Sequence, residues 1–205
     1  MHRHSVFPRR LLAVAAASLL ALPACAREAD EDSALNDSAT VAPAPAPPPA
    51  AAAPGVTDPQ IAAIVVAANE VDIAAGEVAR QKGTDQQVKD YGARMVTDHT
   101  NVNQQAAALV QRLGVTPEDN PTARQLRQGG DQNLANLQNL SGAEFDRAYI
   151  DHEVEYHQSV LDAIDNTLIP GATNAELRAL LEQVRPAIAD HLNMARQIQT
   201  ALGGA

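Results

Sequence analysis

The chain has 205 residues, with 15 lysines and arginines against 25 aspartates and glutamates, which gives a formal net charge of −10. That length suits one ordinary domain with extensions. The acidic balance argues against nucleic acid as a partner, because phosphate binding needs a basic surface. A single cysteine excludes an internal disulfide and a multi-cysteine metal site. Only 2% of the residues are aromatic and alanine dominates the apolar ones, which favours close-packed helices.

Residues 1–24 have the pattern of an export signal. Three arginines precede an apolar run of about twelve residues, which is too short to span a bilayer. The run ends in Leu22-Pro23-Ala24-Cys25, which resembles the cleavage motif of bacterial lipoproteins. The resemblance implies lipidation of Cys25, and Ala26 after it favours an outer-membrane lipoprotein that faces the periplasm. The alternative is an ordinary secretory signal, which would give a soluble periplasmic or secreted protein.

Residues 25–57 are predicted to form a disordered tether that starts at the lipidated cysteine. Five acidic side chains are followed by an alanine- and proline-only run at residues 42–49. Such a segment cannot bury enough apolar area to offset the entropy of ordering it. We expect the proline-rich part to be an extended spacer of about 3 Å per residue.

From residue 58 onward, the apolar spacing predicts four long helices. Short turns join the first to the second and the third to the fourth, so each pair should be an antiparallel hairpin. The link at 114–140 is long enough to cross the length of a bundle. Short, long and short connections are those of a ferritin-like four-helix bundle, which is the fold class we predict for residues 58–205. The four helices are expected at about 58–82, 85–113, 141–168 and 174–202.

Four local features are also predicted. Asp58 should cap the first helix, with Pro59 in its first turn, and Ser141-Gly142-Ala143-Glu144 should form a capping box for the third. The long link should contain short helical pieces broken at Gly129-Gly130. Pro186 should kink the fourth helix or mark an irregular turn.

Two sequence blocks resemble a known family. Residues 88–100 read VKDYGARMVTDHT, which is similar to the family pattern VKxFAxxMVxDHT, and residues 141–150 read SGAEFDRAYI, which is similar to SGxxFDxxYI. His157 and His191 stand where that family has its later histidines. The chain therefore resembles the bacterial domain of unknown function 4142 family over about residues 60–202. The resemblance implies a ferritin-like fold and export from the cytoplasm, and it implies no activity.

Each predicted long helix places about one ionisable side chain on its apolar stripe: Asp72, His99, His157 and His191. At 1.5 Å per residue, all of them fall near the middle of the bundle, within about two helical turns of one another. A buried charge costs several kcal/mol unless it is paired or bound to a metal. Imidazole and carboxylate groups on facing helices are how bundles build metal sites. The four residues are therefore predicted to bind a transition metal ion such as zinc, copper or iron.

Three acidic neighbours, Glu153, Asp98 and Asp190, are predicted to orient the second nitrogens of the ligands. A ferritin-type di-iron site is not predicted, because such sites use Glu-x-x-His and the residue three before each histidine is apolar. The alternative is a neutral hydrogen-bonded network in the core, with Tyr149 or Tyr156 as further members.

These patterns favour a lipid-anchored helical-bundle protein of the bacterial envelope that binds a transition metal for metal handling or envelope stress. A second hypothesis is a non-catalytic module that binds an envelope partner through one face of the bundle. A small hydrolase or oxidase that uses the histidine and aspartate cluster comes third. The sequence contains no nucleophile elbow, phosphate loop or cofactor fingerprint, so an enzyme is the less favoured class.

Overall fold

The computed structural model describes residues 55–203, and within them all regular structure is helical. The signal peptide, Cys25 and nearly all of the predicted tether lie outside the described residues. Among the described helices, none is both long and apolar enough to cross a membrane. The elements are α1 (Asp58–Lys82), α2 (Gln86–Leu113), α3 (Pro121–Asn139), α4 (Gly142–Ala163), a π-helical turn (Ile164–Leu168), α5 (Ile169–Gly171) and α6 (Ala175–Gly203). The all-helical prediction is therefore confirmed.

The first helix begins where the sequence predicts, but a different residue caps it. Thr57 and Gln60 form a capping box, in which Thr57 Oγ1 accepts from the Gln60 N–H at 3.4 Å. Asp58 lies one residue inside the helix. Its carboxylate instead accepts hydrogen bonds from the backbone N–H groups of Thr173 at 2.9 Å and Asn174 at 3.0 Å. Asp58 thereby ties the start of α1 to the start of α6.

The turn between α1 and α2 is held by an acidic residue of α4. The buried carboxylate of Asp146 accepts from the backbone N–H groups of Thr84 and Asp85, each at 2.9 Å. The predicted capping box of α4 is not formed, because Ser141 occupies the N-cap position without a side-chain hydrogen bond. Gly142 has a φ of 59°, which takes the first helical residue out of the geometry that a capping box needs.

The long link contains one continuous helix instead of the predicted broken pieces. Its start lies beside the start of α1, since Asn120 Nδ2 donates to the Gln60 carbonyl at 3.1 Å. Its end lies beside the end of α1, where Lys82 Nζ donates to the Leu137 carbonyl at 3.0 Å. The helix α3 therefore runs parallel to α1 and, as predicted, the link crosses the length of the bundle.

Gly130 has a packing role and does not break α3. It is buried against α1, and a Cβ on it would lie 2.6 Å from Cγ2 of Val71. The missing side chain lets the two helices approach closely, while the glycine itself stays helical. The prediction of a break at Gly129-Gly130 was wrong because spacing along one chain does not reveal a neighbouring helix.

The irregular turn occurs near Pro170 and not at Pro186. The helix α6 runs without interruption through Pro186, which is exposed. At the end of α4, the Ile169 N–H donates to the Ile164 carbonyl five residues earlier, which makes the turn π-helical. Pro170 follows it and has no N–H with which to continue an α-helical pattern.

Two apolar clusters form the core, and the ionisable residues lie where one gives way to the other. On α1, Ile64 and Ala67 belong to the first cluster and Ala75 and Ala79 to the second, with Asp72 between them. On α2, α4 and α6 the histidine likewise lies near the change from one cluster to the other, with the order along the chain reversed on α2 and α4. A polar layer therefore crosses the middle of the bundle between two apolar layers.

Candidate metal centre

The structure brings the four predicted ligands together in the polar layer. Asp72, His99, His157 and His191 are each at most 2% exposed. The His99 ring lies 5.8 Å from that of His157 and 5.3 Å from that of His191, and the latter two are 5.4 Å apart, centroid to centroid. Each histidine offers one ring nitrogen to a set whose members all lie within 4.8 Å of one another. Of the four helices predicted to converge, the three that carry histidines do so on one point.

One nitrogen of each histidine is held by an oxygen acceptor outside the cluster centre. Because amide, carbonyl and carboxylate oxygens accept hydrogen bonds, each nitrogen that faces one carries the proton of a neutral imidazole. The three pairs are His99 Nδ1 with Asn69 Oδ1 at 2.7 Å, His157 Nδ1 with the Glu153 carbonyl at 3.0 Å, and His191 Nε2 with Asp98 Oδ2 at 2.9 Å.

The other nitrogen of each ring is buried and has no hydrogen-bond partner among the described residues. These atoms are His99 Nε2, His157 Nε2 and His191 Nδ1. The proton assignment above leaves a lone pair on each of them. Buried polar atoms nearly always find a partner, so three lone pairs in one place need an explanation.

Asp72 offers a carboxylate oxygen beside two of the three histidines. Its Oδ2 lies 3.2 Å from His99 Nε2 and 3.8 Å from His157 Nε2. Ligands bound tetrahedrally at 2.0–2.1 Å from one ion are about 3.3 Å apart. The distance from Asp72 to His99 already meets that value. The three-histidine group and the group of Asp72, Glu153 and His157 share His157.

Glu153 lies within the cluster and not only behind it. It is fully buried, its Oε2 lies 3.3 Å from His157 Nδ1, and neither of its carboxyl oxygens has a hydrogen-bond partner. With Asp72 and His157 it forms a second group of ligand atoms within 4.8 Å of one another. Glu153 thus lies beside the second nitrogen of His157, which is the role that the sequence predicts for it, and it also lies close to Asp72.

The other two predicted acidic partners differ. Asp98 holds His191, as expected, whereas Asp190 lies exposed on α6 and is not brought into the cluster.

Asn69 was missed by the sequence reasoning. It is buried three residues before Asp72, on the same face of α1, and donates through Nδ2 to Asn103 Oδ1 at 3.0 Å. A polar residue one turn from a predicted ligand was the signal that could have found it.

Comparison with known proteins places the chain in a family. The model of a domain of unknown function, DUF4142, matches residues 42–198. The chain belongs to the DUF4142 family. The family suggested by the sequence blocks around His99 and at the start of α4 is thereby confirmed.

A solved structure resembles this DUF4142 chain in fold. It is the crystal structure of a DUF305 fragment from Deinococcus radiodurans, with 15% sequence identity and a TM-score of 0.59. The likeness covers 74% of this chain and 100% of that one. No curated protein matches the sequence.

Burial in the DUF4142 domain favours uncharged forms of the cluster. It raises the pKa of Asp72 well above its usual value, with nearby Glu153 adding to the rise and His157 opposing it. Burial also raises the pKa of Glu153 to about 8, against the lowering effect of Asp72 and two tyrosines. Burial lowers the pKa of His99 and of His191. Near pH 7, burial therefore favours a protonated carboxyl at Glu153 and neutral imidazoles at His99 and His191, and a bound cation would compete with the carboxyl proton.

Tyrosines close the cluster on the side of the second apolar cluster. Tyr91 donates its hydroxyl to the His191 carbonyl at 3.3 Å, and the buried Tyr149 hydroxyl has no partner. Burial raises the pKa of both phenols, with Glu153 adding to it. Tyr156, considered above as a member of a core network, donates instead to the Ala68 carbonyl at 2.9 Å.

Proposed function

We propose that this domain binds one transition metal ion through His99, His157, His191 and Asp72. The observation that carries the proposal is that the two ring nitrogens of each histidine have different surroundings. One nitrogen is fixed by an outer acceptor, and the other is buried and unpartnered. The unpartnered nitrogens of His99 and His157 also lie beside Asp72. Metal-binding histidines characteristically have this division of roles, since the outer bond sets the tautomer and the ring orientation.

The donor set limits the class of metal. Three imidazoles with one carboxylate suit zinc, copper or iron better than magnesium or calcium, which prefer oxygen ligands. Glu153 precedes His157 by four residues and is the one glutamate in the cluster, so the pattern of paired Glu-x-x-His motifs is absent from it. A single-ion site is therefore proposed instead of a di-iron oxidase or an iron store.

A hydrogen-bonded core network without metal is the alternative for the same residues. Its weakness is the number of buried atoms left unpaired, which include both carboxyl oxygens of Glu153 and one oxygen of Asp72. A network that served only stability would be expected to satisfy them, because each unpaired buried group costs about 1–3 kcal/mol.

The proposed setting is the bacterial envelope, with a role in metal handling or envelope stress. The motif Leu22-Pro23-Ala24-Cys25 supports a lipid anchor at Cys25 and an outer-membrane location facing the periplasm. The direction of the helices supports a ferritin-like four-helix bundle as the finer fold class: two antiparallel hairpins, with α3 as the crossover. The alternative function in this setting is a non-catalytic module that binds an envelope partner protein.

Metal analysis of the purified protein tests the proposal. The untagged chain lacking residues 1–25 would be dialysed against Zn²⁺, Cu²⁺ or Fe²⁺ and its metal content measured by mass spectrometry. We expect about one ion per chain for at least one metal, and a loss of at least tenfold in affinity for His99→Ala and His157→Ala. His152→Ala is the matched control, because His152 is a half-buried histidine of α4 outside the three-histidine group. Substoichiometric metal in the wild type, or equal binding by all three variants, would reject the proposal.

A further inference from the structure

A cavity of about 140 Å³ lies against the cluster on the side of the first apolar cluster. Asp72, Asn69 and His99 line it together with Tyr156, and the rest of the wall is almost entirely aliphatic. The π-helical turn contributes Ile164 and Leu168 to that wall. Two small residues, Ala68 and Ala163, leave the space that larger side chains would fill.

Two of the residues that line the cavity have buried polar atoms without partners. Asp72 Oδ1 and His99 Nε2 belong to lining residues that are 2% exposed, and neither atom has a hydrogen-bond partner. Asp72 uses its other oxygen, Oδ2, towards His99 and His157. Oδ1 of Asp72 is thus left to accept a hydrogen bond from a bound molecule.

The size and the lining define the class of molecule. An apolar cavity of about 150 Å³ stays dry and admits benzene. The cavity wall contains no lysine or arginine, so an anion would be buried without a counter-charge, at high cost. A cation would lose its hydration in a mostly aliphatic space. A neutral molecule with an apolar body and one polar atom suits both the aliphatic residues and the polar residues of the wall.

We propose that this cavity binds a small neutral molecule with an apolar body of about six carbon atoms and one hydroxyl group, of which phenol is the simplest aromatic example. The hydroxyl hydrogen-bonds to Oδ1 of Asp72, and the body packs against the aliphatic wall. The site goes beyond the metal function proposed above and needs no metal. A metal held by Asp72 and His99 would be the neighbour of the bound hydroxyl.

The structure also provides an entrance. The lining residues Thr122 of α3 and Ser159 of α4 are exposed, and behind them Leu126 and Val160 are half-buried. The cavity therefore comes close to solvent at the gap between α3 and α4. Separation of two half-buried aliphatic side chains would admit a molecule of the proposed size.

Titration of the metal-free protein with phenol and with toluene tests the inference. The two probes have nearly the same shape, and toluene carries a methyl in place of the hydroxyl. We expect saturable binding of phenol with a Kd below about 1 mM. Asp72→Leu should lower the preference for phenol over toluene roughly fivefold or more, because it removes the hydrogen-bond partner.

Methyl chemical shifts report on the location without any variant. Phenol should shift the methyls of Val160, Ile164 and Leu181, which line the cavity, and leave those of Val88 and Ile198 in the second cluster unchanged. Shifts spread over both clusters, or an absence of saturable shifts, would overturn the proposal.

A cavity-filling variant separates this inference from the metal proposal. Ala163→Leu should weaken the binding of both probes at least tenfold and keep its metal content, whereas Ala93→Leu, at an exposed site of α2, should change neither. Undiminished phenol binding by Ala163→Leu would overturn the cavity site. If the wild type binds no metal, the phenol result still stands, because the titration uses the metal-free protein.

Discussion

Asp98 Oδ2 lies 2.9 Å from Nε2 of His191 and also 3.2 Å from Nε of Arg94. The His191 ring is 1% exposed, while the Asp98 side chain is 35% exposed. The third histidine of the cluster is therefore oriented by a carboxylate at the protein surface. This contact is the most accessible of the three that hold the histidine rings, which makes it a good place to test their role.

Asp98→Asn is expected to weaken metal binding about 10–100-fold without unfolding the chain. The amide keeps the shape of the side chain and removes the charge that holds the imidazole proton. Competition with a chelator of known affinity would measure the change. Asp190→Asn is the matched control, because Asp190 is next to His191 in sequence but exposed and outside the cluster. An equal loss in both variants would indicate a general charge effect.

The metal-free protein is expected to lose stability as the pH rises from about 6.5 to 8. Burial raises the pKa of Glu153 from 4.5 to about 8, so the folded chain keeps a proton that the unfolded chain has released. The free energy of unfolding then falls with pH, by at most about 1.4 kcal/mol per pH unit for this group. Below pH 6.5 the histidines have the opposite effect on the free energy of unfolding. Burial lowers the pKa of His99 and His191, so the unfolded chain takes up protons that the folded chain does not, and the free energy of unfolding falls as the pH falls.

Urea denaturation at a series of pH values would measure this dependence. Glu153→Gln should reduce the decline between pH 6.5 and 8, because the amide does not titrate. A metal-free wild type whose stability rises over that interval would contradict the assignment of a buried, protonated Glu153.

The adjacent glycines of α3 are expected to respond in opposite directions to alanine. Gly129→Ala should stabilise the protein by roughly 0.5–1 kcal/mol, because the site is open and alanine favours a helix. Gly130→Ala should destabilise it by about 1–3 kcal/mol, since its Cβ would lie 2.6 Å from the Val71 side chain. Thermal or urea unfolding would measure both. Stabilisation by both substitutions would show that α3 does not press against α1 there.

Asp146→Asn is expected to destabilise the domain by about 2 kcal/mol. Its buried carboxylate accepts from the N–H groups of Thr84 and Asp85, and hydrogen bonds to a charged group are worth about 1.5–3 kcal/mol. Glu144→Gln in the same turn of α4 is the control and should change the stability by less than about 0.5 kcal/mol. Glu144 is exposed, and the capping box that the sequence predicts for it is not formed. A larger loss of stability for Glu144→Gln than for Asp146→Asn would contradict the stabilising role of Asp146.

The positions of the long helices and the identity of the central residues followed from the sequence. Apolar residues at three- and four-residue spacing fix which face of each helix is buried. Asp72, His99, His157 and His191 stand on those faces, so their burial followed as well. Helix length placed them at similar heights, which is why they meet.

Only the tertiary structure decided which residues contact one another across the helices. Asp98 and Asp190 each stand next to a histidine in sequence, and the rotation of α2 against α6 brings the first to His191 and leaves the second in solvent. The same holds for Gly130, which resembles a helix breaker until Val71 is seen beside it. It also holds for Asp58, whose carboxylate accepts from the backbone of Thr173 and Asn174, more than a hundred residues away. Local sequence determines which side of a helix is apolar because that depends on a repeat of a few residues. Which atoms then touch depends on the packing of whole helices, and no short stretch of sequence contains that information.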